Sequence, residues 1–171
     1  IEHHVLVSRW PAGYAFRHAL LGETVLDDLL PGERLRLHRR YAAVLTECPQ
    51  LGSTSELARH AAASGDLPTA VAASRAAAAQ ALGIGGAHEA LQHLERALEL
   101  LGEDDPAVDE LTLRASEAAE VSGEQLRAVS LLRDRLDHPG SRQSPGTRAE
   151  LLAAYATRSR LLDLPVNGLA R

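Results

Sequence analysis

The chain has 171 residues and a formal charge of −5, with 45% apolar residues but only 3% aromatic ones. That length fits one domain or two small ones, and the acidic balance argues against general nucleic-acid affinity, which needs a basic face. No run of about 18 apolar residues exists to span a bilayer, and Cys48 stands alone, so neither an internal disulfide nor a cysteine-built zinc site is available.

In chain order, His3 to Ser8 alternates loosely, Pro11-Ala12-Gly13 supplies turn chemistry and Tyr14 to Phe16 alternates again, which predicts a short β-hairpin. From Arg17 the period becomes helical. His18, Leu21, Val25 and Leu29 share a stripe that stops at Pro31-Gly32. A second helix over about 33–47 is expected to turn Leu35, His38, Tyr41, Ala42 and Leu45 inward, with Arg34, Arg36, Arg39 and Arg40 on its other faces. Such a basic run reads as a solvated face paired to the nearby Glu23, Asp27, Asp28, Glu33 and Glu47 rather than as a phosphate patch.

Beyond Cys48-Pro49 the pattern is helix and turn throughout. Helices are expected over about 55–64, 67–82, 87–101, 106–121, 124–137 and 147–162. The helix over 87–101 has the cleanest stripe, through Ala87, Ala90, Leu91, Leu94, Ala97, Leu98 and Leu101. Asp105 is a plausible cap before Pro106. His138 to Gly146, polar and rich in Pro and Gly, reads as a mobile connection. Residues 89–99 (EALQHLERALE) align with 127–137 (RAVSLLRDRLD) at an offset of 38. Helix, tight turn, helix at that spacing is the arithmetic of tetratricopeptide-like arrays. The expected fold is therefore all-α, an α-solenoid of antiparallel helix pairs over 49–171, preceded over 1–48 by the β-hairpin and two helices.

Residues 14–45 (YAFRHALLGETVLDDLLPGERLRLHRRYAAVL) resemble the end of the winged-helix domain of large ATP-binding LuxR-type transcriptional regulators, within the STAND class of NTPases. The stretch ELARHAAASGDLPTAVAASRAAAAQAL, followed by AHEALQHLERALELL, resembles the start of their helical sensor repeats. The resemblance implies a winged-helix remnant over 1–48 and a cytoplasmic signal-transduction protein. It implies ATP or ADP bound by a P-loop domain of the parent, and DNA bound only through a C-terminal helix-turn-helix. The repeats would take a small-molecule inducer or a regulatory protein. It also implies a nucleotide-sensing role for His18, in the place of a histidine that touches the β-phosphate in related NTPases. Here the triplet reads Arg17-His18-Ala19.

The chain opens at Ile1 and contains no Met, so it is expected to be a piece of a longer protein. It has no GxxxxGK[ST] and no nucleophile-elbow pattern, so no catalytic residue, no cofactor of its own and no enzymatic activity is expected. Neither His3-His4 nor His88 and His93 has the spacing of a metal pair. The partner surface is expected on the first helices of each pair, at Arg75, Gln80, Arg114 and Glu117. Self-association through the apolar faces of a cut solenoid is also expected. The other reading is a protein-docking scaffold attached to a kinase or cyclase.

Overall fold

The computed structural model describes residues 6–9, 13–141 and 143–162. Strands β1 (Leu6–Arg9) and β2 (Gly13–Phe16) pair antiparallel with Leu6 opposite Phe16. The Trp10–Ala12 segment on which the expected hairpin turn rested lies outside the described residues, as do His3 and His4. Helix α1 (Ala19–Asp27) follows, with the Phe16 ring lying against Gly22. The rest is helical: α2 (Pro31–Glu47), a single 3-10 turn at Pro49–Leu51, α3 (Thr54–Ala63), α4 (Leu67–Gly83), α5 (Ala87–Glu99), α6 (Ala107–Val121), α7 (Gln125–Asp137) and α8 (Pro145–Leu161). Each of α2 to α7 packs on its successor, and α6 also touches α8. The result is an all-helical stack in solenoid fashion.

Local chemistry sets the boundaries. Pro31, expected to close α1, opens α2, where its missing N–H costs nothing in the first turn and the Glu33 carboxylate accepts the Leu30 N–H at 3.0 Å. Ser53 caps α3 in a capping box: its hydroxyl accepts the Glu56 N–H, and the Glu56 carboxylate accepts the Ser53 N–H at 2.7 Å. Three turns share one geometry. Gly65, Gly85 and Gly123 take φ of 78°, 82° and 86°, and the next residue's N–H reaches back to the carbonyl of Ala61, Ala81 and Ala119 respectively. A left-handed glycine there ends one helix and turns the chain straight into the next. Gly85 and Gly123 lie 38 residues apart, so the repeat seen in sequence is also a repeat of turns.

The cores are built from small residues and leucine. Between α4 and α7 lie Leu91, Leu94 and Leu111, all but fully buried among alanines such as Ala90, Ala115 and Ala119. Val129, Leu132, Leu136, Leu151 and Tyr155 join α7 to α8. The seam of α2, α3 and α4 is smaller: Ala42, Ala61 and Ala70, with Leu57 and Leu100 partly buried against them. On α2 the expected inward face is only partly right. Ala42 and Leu45 are buried and His38 half-buried, but Leu35 is 41% and Tyr41 58% exposed. The alanine lets α2 approach closely along one stripe and leaves the bulkier stripe outside.

Candidate functional site

Two adjoining hollows lie about the start of α6, one facing α4 and the other facing the α7–α8 connection. The larger, about 650 Å³, has an apolar wall of Leu67, Pro68, Val71, Leu100, Leu101 and Ala107, with Arg75 and Asp105 as its ionisable groups. That volume lies within the range of small-molecule sites, and the lining fits their usual pattern of apolar walls with few polar groups. The second, about 370 Å³, is acidic, lined by Asp104, Asp105, Asp109, Glu110 and Glu150 around one cation, Arg135. Asp105 borders both hollows, and its carboxylate accepts the Ala107 N–H at 2.8 Å, although the N-cap position of α6 falls on Pro106 rather than on the expected Asp105.

Between the hollows stands a charged bridge. The Arg75 guanidinium donates to Glu110 Oε1 at 2.9 Å, and the Arg114 guanidinium lies 3.6 Å from the same oxygen. Glu110 thus ties α4 to α6 across the groove; its i,i+4 spacing to Arg114 is visible in the sequence, but its tie to Arg75, 35 residues away, is not. Of the positions expected on this surface, Arg75 and Arg114 meet here and Glu117 is exposed on α6. Gln80 does not join them. Five residues past Arg75, it sits about 140° further round the helix and accepts from the Thr54 hydroxyl at 2.6 Å on the α3 side.

The floor of the acidic hollow is held by Arg135, 8% exposed. Its Nε donates to Asp109 Oδ1 at 2.5 Å, and its terminal nitrogen donates to the carbonyls of Glu103 and His138. Gln143 donates to the same Asp109 oxygen, while the Ser141 N–H and hydroxyl both donate to Asp104. The connection between α7 and α8, expected to be mobile, is therefore tied to the start of α6 through its described residues. Polar side chains that look like solvent-facing loop in sequence find partners more than 30 residues back.

The chain matches no known family model, no curated protein and no solved structure.

A second polar cluster occupies the seam between α2 and α3. His38 Nδ1 and His60 Nδ1 are 2.9 Å apart, His60 Nε2 lies 2.9 Å from the Arg59 guanidinium, and the Tyr41 ring stacks on His60 at 4.8 Å. Arginine can only donate, so His60 Nε2 is the acceptor and carries no proton. His60 is then protonated at Nδ1 and donates to an unprotonated His38 Nδ1. Burial, followed by the Arg59 and Arg34 charges, holds His38 below its ordinary value. Burial, followed by Arg59 and His38, does the same to His60. Both rings are neutral donors and acceptors, and a second proton would break their contact. His60 carries no sequence signal of this role, because its partner is 22 residues away on another helix.

Other described histidines stand apart from this cluster. His93 is buried and lies 3.0 Å from the Ser55 hydroxyl, with burial and then Arg96 lowering its pKa. Its Nδ1 has no partner among the described residues, so no carboxylate completes a nucleophilic triad there. His88 meets Glu124 at 2.7 Å across α5 and α7. His18 is exposed at the bend between β2 and α1. Among the described residues no group of three or more His, Cys, Asp or Glu side chains clusters as metal ligands do, and no helix is long and apolar enough to cross a membrane.

Proposed function

We propose that the chain is the non-catalytic sensor arm of an ATP-dependent LuxR-type transcriptional regulator, with residues 1–48 the remnant of its winged-helix domain and α3 to α8 its tetratricopeptide-like repeats. The single observation that favours a sensing role is the apolar hollow of about 650 Å³ between α4 and α6, closed on one side by the Arg75–Glu110–Arg114 bridge. An inducer with an apolar body fits this hollow, and a polar end would reach Arg75.

Occupation of the hollow would alter the α4–α6 bridge and so the curvature of the stack. A ligand that binds one curvature better than another shifts the parent between its closed and open states by that difference in affinity. In the parent, His18 would contact the nucleotide, and the seam between α2 and α3 would carry the change from sensor to nucleotide domain. DNA would be met only through a separate helix-turn-helix, and ATP or ADP only by a separate P-loop domain.

The coding sequence on either side of residues 1–171 tests the reading: a P-loop motif upstream and a helix-turn-helix downstream are expected, and the lack of both would refute it. In that parent, His18→Ala is expected to lower ADP retention; unchanged retention would remove His18 from the nucleotide site. The docking-scaffold reading draws its support from a different place, the exposed apolar face of α2.

A further inference from the structure

We propose that the hollow between α4 and α6 takes a short apolar peptide with both ends free, in the simplest case a dipeptide; this rests on the sensor reading of the same hollow. The hollow carries one ionisable group of each sign, Arg75 and Asp105, on walls that are otherwise apolar. The two form no ion pair with each other, and each keeps unused capacity. Arg75 donates to Glu110 through one terminal nitrogen only, and the Asp105 carboxylate accepts only the Ala107 N–H, through Oδ1. Its Oδ2 and the other guanidinium N–H groups of Arg75 are open to a ligand.

The two ends of the groove differ in charge. At the Arg75 end two guanidiniums, Arg75 and Arg114, share a single Glu110 oxygen, which leaves a positive surplus. At the other end Asp105 borders the acidic hollow, where Asp104, Asp109 and Glu150 outweigh the lining cation Arg135. An anion meets repulsion at one end and a cation at the other, whereas a zwitterion is matched at both. Spacing sets its length. Asp105 is held at the Ala107 N–H, and Glu110, against which the Arg75 guanidinium rests, lies about 4.5 Å further along α6. With side-chain reach the two charges stand roughly 5–8 Å apart. The ends of a single α-amino acid are only about 2.5 Å apart, while those of an extended dipeptide are about 6 Å apart. Leu67, Val71 and Leu101 line the hollow and favour apolar side chains on that peptide. A ligand carboxylate that takes Arg75 leaves Glu110 to close on Arg114, already 3.6 Å away on the same helix. Binding thus loosens the tie of α4 to α6 without stranding a charge.

The test uses the 171-residue chain and the neutral fluorescent probe N-phenyl-1-naphthylamine. Competitors are leucyl-leucine, its N-acetyl and C-amide derivatives, the doubly blocked form, and seryl-serine. Leucyl-leucine should displace the probe, each single block should weaken it about tenfold through the loss of one charged hydrogen bond, and seryl-serine should not compete. Asp105→Asn, which still accepts the Ala107 N–H, should erase the penalty of acetylation alone. Arg75→Gln should erase the penalty of amidation alone. Ala72→Trp, at an exposed position on the α4 wall, should abolish binding while the helical circular dichroism is unchanged. Probe that leucyl-leucine cannot displace, equal competition by free and blocked forms, or penalties that survive both substitutions would overturn the proposal and leave the sensor reading standing. Binding of neither the probe nor any peptide, or undiminished binding to the Ala72→Trp chain, would overturn both.

Discussion

Replacing Arg135 by Ala is the most searching perturbation of the α6–α8 region. The guanidinium is 8% and the Asp109 carboxylate 13% exposed, so the pair belongs with buried ion pairs rather than with surface pairs, which contribute about 0–1 kcal/mol. Removing one partner of a buried pair typically costs about 3–5 kcal/mol, because the other charge stays desolvated. Asp109 would keep the Gln143 amide at 3.0 Å, which places the expected loss at the low end, about 3 kcal/mol. For a chain of this size each kcal/mol lowers the melting temperature by about 2–4 °C, giving a fall of roughly 6–12 °C. Urea denaturation followed by circular dichroism would measure the loss. Hydrogen exchange at the Ser141 amide, which donates to Asp104 at 2.6 Å, would report whether the α7–α8 connection is released. A double-mutant cycle with Asp109→Ala should return a coupling above about 1.5 kcal/mol. A loss below 1 kcal/mol with Ser141 protection unchanged would refute the reasoning and return the connection to the loose segment its composition suggests.

Leu94→Ala, at a fully buried position of α5 among closely packed alanines, should cost about 3–4 kcal/mol in chemical denaturation, since its neighbours have little bulk with which to fill the void. Gly123→Ala should cost about 1–2 kcal/mol in the same assay purely through its left-handed backbone, as an added Cβ there meets no atom within 4 Å. Stability should depend on pH through His38, His60 and His93. All three are held below 6.5 when folded, so the unfolded chain takes up protons first; stability is full above about 6.5 and falls as the pH drops through that value. Urea midpoints at pH 7.5 and 5.5 should show the fall, and equal midpoints would count against the half-buried neutral pair. Glu56, lowered chiefly by its hydrogen bonds from Ser53, should add a further loss as the pH passes below 4.5.

Periodicity made α5 legible. The stripe through Ala87, Ala90, Leu91, Leu94 and Ala97 is buried in the structure because only one apolar face was on offer. On α2 the sequence pattern makes one broad inward face of Leu35, His38, Tyr41, Ala42 and Leu45. The structure buries its Ala42 and Leu45 and leaves Leu35 and Tyr41 exposed, since closeness of approach, not bulk, decides which part of an apolar face a neighbouring helix accepts. The groove was legible only in part for a related reason. Arg75 and Arg114 both lie in the groove, but the Arg75–Glu110 and Arg135–Asp109 pairs connect residues 35 and 26 apart, and no local pattern encodes such distances. Gln80 fell on the wrong side because its placement followed helix membership without the 100° step between residues.

The seams of the stack differ in kind, and that difference orders them by ease of opening. From α4 to α7 the joints rest on buried leucines, whose contribution does not depend on pH and whose exposure would cost several kcal/mol each, on the order of 2–3 per side chain. The joint of α2 with α3 and α4 rests on Ala42, Ala61 and Ala70, which bury little area, and on a neutral His38–His60 contact that a single added proton breaks. Local opening follows the weakest packing, so amides of α2 should exchange before those of α5, and more so below pH 6.5. The same joint presents the exposed α2 stripe on one side and leads into the repeats on the other.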